Sequence, residues 1–587
     1  MLSRDILMKA MRPGRYTGQE WNAVKKDHSK VKLTSCLCFP EIYEVGMSNL
    51  GVRILYDVLN SQRDLLCERA FCPWPDFQQV LKESSLKLSS LESGIPLRDF
   101  DVIGFSVNNE LNYTNVLTML SLSDIPFMSK DRTSGFPLII GGGNCTLNPE
   151  PLADFFDLFI IGEAEEVILD VVKICKKFKH KYGEVCKNKQ ELLTELCQIP
   201  GVYVPQFYRV EYNSDMTVKE FAPLKKEAPA VIRKVHVKDL NRNLQCLNWI
   251  VPNIEVIHDR IGIEIMRGCA HRCRFCQARS YFFPLRIRSA KNIFALAKRF
   301  YKISGYEQIS LLSLSSSDHP QIEKIVKFLI EYFRKNAVSV ALPSIRPKYI
   351  IGDIPQVISS QKKTGFTFAP EAGTERLRKI INKDINSEEL FDAARDAFKS
   401  GYRRIKLYFM IGLPTEDYKD LDAIVDLSYK LSQLRRELCG QAAEINLSIG
   451  TFIPKPHTPF QWLNMAKIGE IKEKQMYLKR AIYDKKYKFL MMNFSNVNIS
   501  ILEAALARGH RDLSRVIISA FNKGAQFDQW RECFNFENWR QSFSEHGLDI
   551  EEFATRPLGL DKKLVWDFID TGINKQYLRD EFQKALT

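Results

Sequence analysis

The loop Cys269-Ala-His-Arg-Cys273-Arg-Phe-Cys276 constrains this chain more than any other feature. It follows directly on the apolar run Ile261-Gly-Ile-Glu-Ile-Met266 and on Arg267-Gly268. Thiolates are the usual protein ligands of iron–sulfur clusters, and three of them on a loop leaving a strand can hold three irons of a four-iron cluster. No fourth cysteine lies nearby in sequence, so one iron would stay open to another ligand. The competing reading is a structural zinc site built from the three cysteines and His271.

Length and composition narrow the setting. A chain of 587 residues suggests three or four domains, and 45% apolar with 26% charged residues is ordinary for a soluble globular protein. No apolar run reaches the roughly 18 residues of a membrane span, and the N-terminus has an early acid and no secretory core. A cytoplasmic location without membrane contact is therefore expected. The other cysteines, at 36, 38, 67, 72, 145, 175, 186, 197, 246, 439 and 533, are scattered, as free thiols in a reducing compartment would be. A formal charge of +14 permits a polyanionic partner such as RNA without requiring one.

Two αβ series are legible. After a charged extension over residues 1–30, strand-like Val31–Phe39, Asp101–Val107, Pro137–Gly143 and Leu158–Gly162 alternate with helical Leu50–Asn60, Leu111–Leu122 and Glu163–Lys177. Continuous apolar strands between amphipathic helices predict a doubly wound, Rossmann-like parallel sheet. Residues 181–258 read as a bridging segment. A second series begins at 259, with strands Gly262–Met266, Ile309–Leu314, Val338–Leu342, Gly365–Ala369, Arg404–Ile411 and Glu444–Ile449, each gap wide enough for one helix. Asn386 with Glu389 predicts a capping box, and Gly401 a helix stop. The expected division is thus 1–180, 181–258, 259–480 and a mostly helical 481–587.

The cysteine spacing, with Phe275 as the aromatic before the third cysteine, resembles the radical S-adenosylmethionine superfamily. That resemblance implies a partial (β/α)6 barrel over 259–480, a 4Fe-4S cluster on Cys269, Cys273 and Cys276, and S-adenosylmethionine on the open iron. It also implies a reducing electron donor such as flavodoxin or ferredoxin. Chemistry in such folds sits at the C-terminal ends of strands.

The resemblance extends to further segments. Ser313-Leu-Ser-Ser-Ser-Asp318 stands where the family's glycine-rich turn meets the cofactor's amino group, making Ser313, Ser315 and Ser316 candidate binding residues. A plain serine turn is the alternative. In Ala369-Pro-Glu-Ala-Gly-Thr-Glu-Arg-Leu377, Glu371 is the candidate for the ribose, with Glu375 a helix-start residue. Ile411 and Gly412, in Met410-Ile-Gly-Leu-Pro-Thr-Glu416, match the segment that cradles adenine. Arg288, with Arg286 beside it, could pair with a carboxylate of cofactor or substrate, or be solvated surface. Lys455 and His457 face substrate or brace their proline-rich loop.

The N-terminal half looks like the cobalamin-binding group of the superfamily, through Glu41–Gly51, Gly141–Glu150 and Gly162–Glu165, and the likeness runs on to Trp566–Lys575. The Asp-x-His-x-x-Gly motif that supplies a histidine to cobalt is missing, which leaves cobalamin an open expectation. A methylthiotransferase-like second cluster on Cys36, Cys67 or Cys72, and Cys145 competes with ordinary thiols. Interleaved basic and aromatic residues over Lys472–Phe489 suggest either an RNA surface or a solvated helix face. The functional expectation is a radical enzyme modifying an unknown substrate, with RNA modification and cobalamin-dependent methylation as candidate activities. The alternative is an RNA-binding or redox-sensing protein with a structural cluster.

Overall fold

The computed structural model describes residues 2–242, 248–343, 346 and 366–587; Cys246 and Gly365 fall outside them. The chain packs as two compact units. The first comprises Met1–Asp259, Leu506–Ile550 and Asp561–Gly572; the second comprises Arg260–Ala505, Glu551–Leu560 and Ile573–Thr587. Among the described residues no helix is long and apolar enough to cross a membrane.

The first unit is built on one six-stranded sheet: β1 Leu33–Phe39, β2 Leu65–Phe71, β3 Val102–Ser106, β4 Leu138–Gly142, β5 Leu158–Ile160 and β6 Val202–Tyr203. Its order is β2-β1-β3-β4-β5-β6, parallel except for the last strand. The winding reverses between β1 and β3, as the doubly wound expectation requires. The apolar runs explain the placement, since Leu33, Leu65, Leu66, Ile103, Leu138 and Ile139 are closed to water.

Strand β2 is not apparent from hydropathy because Leu-Leu-Cys-Glu-Arg-Ala-Phe carries two charges. Those charges are buried with partners. Arg69 donates to Glu92 at 2.7 Å and to Glu20 at 2.9 Å, which pins the N-terminal extension onto the sheet. A buried charge is tolerable only with such pairing.

In the second unit β7 Ile261–Glu264, β8 Gln308–Leu312 and β9 Ser339–Ala341 form one parallel sheet. β10 Phe366–Glu371, β11 Arg404–Ile411, β12 Glu444–Thr451 and β13 Leu490–Phe494 form another. Neighbours follow chain order, as in a partial barrel rather than a doubly wound sheet. The helix Ser387–Lys399 begins with the expected capping box of Asn386 and Glu389, and Gly401 past its end is left-handed at φ 88°. Phe368, Leu407, Phe409, Ile445, Leu447 and Ile449 form the heart of the core.

Two expectations change. Residues 181–258 pack within the first unit, where Ile232–Arg233 pairs with Ile569–Asp570. Residues 481–587 do not form a body of their own: they supply β13, are shared between both units, and end in α1, Lys575–Leu586, on the second. A helical stretch can complete either core, and its sequence does not say which.

Candidate active site

The cysteine loop leaves the C-terminal end of β7 through Gly268. Its φ of 93° and backbone oxygens of Phe282 and Pro284 only 2.8 Å from where a Cβ would stand explain the glycine. The loop is held from behind. The Arg274 amide donates to Ile381 O at 3.0 Å, and its guanidinium donates to Lys379 O, Ile380 O and Glu581. Asn382 caps Arg272 O at 2.9 Å. Phe275 anchors the loop in a small core with Ala372, Leu377, Leu413, Phe452, Phe460 and Ala585.

Burial pushes all three thiols up, Cys276 to about 11 with the charges of Cys273 and Cys269 adding to it. Lys383 and Arg346 oppose the rise at Cys273. Desolvated thiols crowded together become stable thiolates when a metal takes their protons' place. Among the described residues no three His, Cys, Asp or Glu side chains converge on one ion, as a tetrahedral zinc would require. A cluster asks only that each thiolate reach its own iron.

Opposite the loop, the turn after β8 is tied by Ser316 Oγ, which donates to Leu311 O at 3.1 Å and lies 3.0 Å from Ser313 Oγ. Asp318 Oδ2 lies 2.7 Å from His271 Nε2. Burial raises the Asp318 carboxyl, but His271 and Ser315 beside it hold it below the usual range. Ser315 Oγ and Asp318 Oδ1 are buried without a well-formed hydrogen bond. Orphaned acceptors are costly, and here they lie together next to the cysteines, which fits a bound amino group.

Glu371 ends β10 just after a register shift in the ladder, with a left-handed φ of 69°. Bulges commonly re-aim a side chain beside an active site. Burial raises its pKa, and Lys383 at 3.2 Å opposes the rise. Thr415 and His457, after β11 and β12, also have positive φ, at 60° and 57°. Non-glycine strain thus recurs along the strand ends that carry the cysteines.

Comparison with known proteins agrees with this geometry. A family model for the N-terminal region of radical SAM proteins matches residues 51–205, and one for the radical SAM superfamily matches 263–428. Together they span more than half the chain. The chain belongs to the radical S-adenosylmethionine superfamily. It is a radical SAM enzyme, and its family implies a 4Fe-4S cluster and S-adenosylmethionine as cofactors. An uncharacterized protein of Methanocaldococcus jannaschii is 27% identical over 84% of this chain and 95% of its own length. A putative methylthiotransferase of the same organism is 25% identical over 46% of this chain and 63% of its own length. A solved structure of the radical S-adenosylmethionine methyltransferase TsrM from Kitasatospora setae, with cobalamin and a [4Fe-4S] cluster bound, is 13% identical, covers 71% of this chain and 74% of that one, and has a TM-score of 0.47.

Within this radical SAM enzyme several candidate residues take other roles. Arg288 is buried and spent on the protein, donating to Glu264 O at 2.7 Å and Asn292 Oδ1 at 2.8 Å. Arg286, also buried, holds the carbonyls of Pro284 and Phe282. Neither is solvated surface nor turned to a ligand's carboxylate, because a buried guanidinium needs acceptors on every side. The Ile411 side chain lies in the core and its carbonyl accepts from Phe452 N at 2.9 Å. The Gly412 amide donates to Glu416 at 2.9 Å. Lys455 pairs with Glu503 at 2.8 Å, and His457 O accepts from Ser280 at 2.6 Å, so both brace the loop.

Sequence reasoning missed Glu416, a carboxylate 1% exposed that links Gly412 to Lys474. It also missed Lys383 beside Glu371, since no motif marks either lysine. The aromatics of Lys472–Phe489 turn inward: Tyr477 and Tyr487 pack on Tyr418 and Tyr429, and only Tyr483 stands out, 82% exposed.

In the first unit Cys36, Cys67, Cys72 and Cys145 are buried free thiols, and desolvation raises Cys36, Cys67 and Cys72. At the switch point Asn112 and Asn115 both donate to Pro40 O, and Trp530 donates to Glu41 at 3.0 Å. A Cβ at Gly141 would strike the Phe159 ring at 2.4 Å, and one at Gly143 would strike Val107 O at 2.5 Å. Gly142 has nothing nearer than 3.9 Å and is where a cofactor could approach the backbone.

Proposed function

We propose that this enzyme uses a 4Fe-4S cluster on Cys269, Cys273 and Cys276 for reductive cleavage of S-adenosylmethionine and modifies its substrate through the radical released. When bound, that pair of cofactors supplies methionine and a 5′-deoxyadenosyl radical able to take hydrogen from an unactivated carbon. The chain's own residues position and shield. Arg274 and the turn at 379–382 fix the loop. Ser315 and Asp318 are suited to accept from the cofactor's amino group, and Glu371 from its ribose hydroxyls, with Lys383 opposing the effect of burial on Glu371. The observation that carries this reading is the pair of orphaned buried oxygens, Ser315 Oγ and Asp318 Oδ1, beside a three-cysteine loop at the same strand ends.

Electron paramagnetic resonance of the anaerobically reconstituted, reduced protein tests it. A cluster signal that shifts on adding S-adenosylmethionine supports the reading. A signal indifferent to it, or stoichiometric zinc without a brown chromophore, overturns it. Alanine at all three cysteines should remove the signal.

The fate of the radical separates two chemistries. About one cobalt per chain in protein made with cobalamin supplied would favour cobalamin-dependent methylation; its absence would favour direct hydrogen abstraction. The net charge of +14 supports RNA as the first substrate class to assay, by the salt dependence of binding.

A further inference from the structure

Two arginines of the cysteine loop have no use in holding it. The guanidinium of Arg272, one residue before Cys273, lies 5.9 Å from the Tyr577 ring centroid, and that of Arg279, three residues after Cys276, lies 5.4 Å from the same ring. Arg272 is exposed and Arg279 half-buried. Tyr577 belongs to α1, so the ring holds both cations in place. Neither has a carboxylate partner among the described residues. The nearby acids of α1 are committed: Glu581 pairs with Arg274 and Lys584, and Asp580 accepts from Gln576. A surface arginine usually finds a carboxylate; here two stand unneutralised on the segment that carries the cluster ligands.

We infer that Arg272, Arg279 and Tyr577 form the docking face for an acidic one-electron carrier protein. This rests on the cluster reading above and names the partner of that site. Charge complementarity favours an acidic surface and raises its encounter rate. Position favours an electron carrier over other acidic partners, because electron transfer falls steeply with distance and this patch flanks the ligands themselves. One electron leaves the carrier, a flavin hydroquinone becoming a semiquinone, and enters the cluster; no covalent bond changes.

The test uses full-length reconstituted protein and a reduced acidic flavodoxin. Stopped-flow absorbance follows cluster reduction, and calorimetry with oxidised flavodoxin measures binding. The double variant R272E/R279E should slow flavodoxin-driven reduction by about tenfold or more, weaken binding in parallel and flatten the dependence on ionic strength. Reduction by dithionite, which needs no docking, should stay within about twofold of wild type. The milder R272Q/R279Q serves if charge reversal costs the cluster. Unchanged flavodoxin kinetics would overturn the proposal, as would equal slowing with dithionite, or loss of flavodoxin binding to competing polyuridylate at these same residues. A wild-type protein that dithionite cannot reduce would sink the cluster reading instead.

Discussion

Arg274 and Glu581, 307 residues apart in the chain, meet through a hydrogen-bonded ion pair of 3.0 Å. Their side chains are 9% and 11% exposed. Arg274 lies between two cluster ligands and Glu581 on the C-terminal helix α1, so the end of the chain holds the cysteine loop in place. Trp462 packs edge-on against Phe582 of the same helix, adding apolar support.

Glu581→Gln should therefore destabilise the second unit by about 1–3 kcal/mol, the cost of leaving a buried charge short of a partner. Urea unfolding followed on iron-free protein would measure it. The reconstituted variant should also bind less iron. Full iron content with an unchanged midpoint would deny α1 its bracing role.

Glu371→Gln keeps the shape of the side chain and removes its charge. Iron content should be unchanged, while the concentration of S-adenosylmethionine needed to shift the resonance signal should rise by about tenfold, the worth of one charge-assisted hydrogen bond. An unshifted titration would remove Glu371 from the binding site.

Gly412→Ala puts a Cβ 2.7 Å from Ile471 Cδ1 at a φ of 79°. Left-handed backbone alone costs a non-glycine residue about 1–2 kcal/mol. A fall of that size in unfolding free energy is expected, with weaker S-adenosylmethionine binding if the 411–412 segment cradles adenine.

Asp528 is buried, accepting from Trp539 Nε1 at 3.1 Å and Thr114 Oγ1 at 3.2 Å. Burial raises its pKa from an ordinary 3.8 to about 7. A carboxyl raised in the fold favours the folded state fully below 3.8 and loses that advantage as pH climbs through 7. Between those limits wild type should lose on the order of 4 kcal/mol relative to Asp528→Asn. Parallel pH profiles of the two proteins, measured by thermal unfolding, would contradict this.

Much of the fold was legible because local rules and global packing agree. The strands before the cysteine loop and after Arg404 are apolar runs with nowhere to go but a buried sheet. Asn386 and Glu389 satisfy helix-end amides using only neighbours in sequence. Strand β2 and the split of residues 481–587 were not legible, since Arg69 needs Glu20 and Glu92 from distant segments to make its burial tolerable. Arg288 misled for the same reason: a guanidinium near a loop reads as a ligand's partner until Glu264 and Asn292 are seen around it.

By itself the sequence determined the cluster ligands, since the spacing of Cys269, Cys273 and Cys276 is a local property that no packing alters. It also determined that the chain is built from αβ series. Only the tertiary structure decided which polar groups are spent on the protein and which are left for a ligand. Arg288, Ile411 O and the Gly412 amide fall on one side; Ser315 and Asp318 fall on the other. That distinction depends on which distant groups arrive within hydrogen-bonding distance, and on how much water burial removes from each.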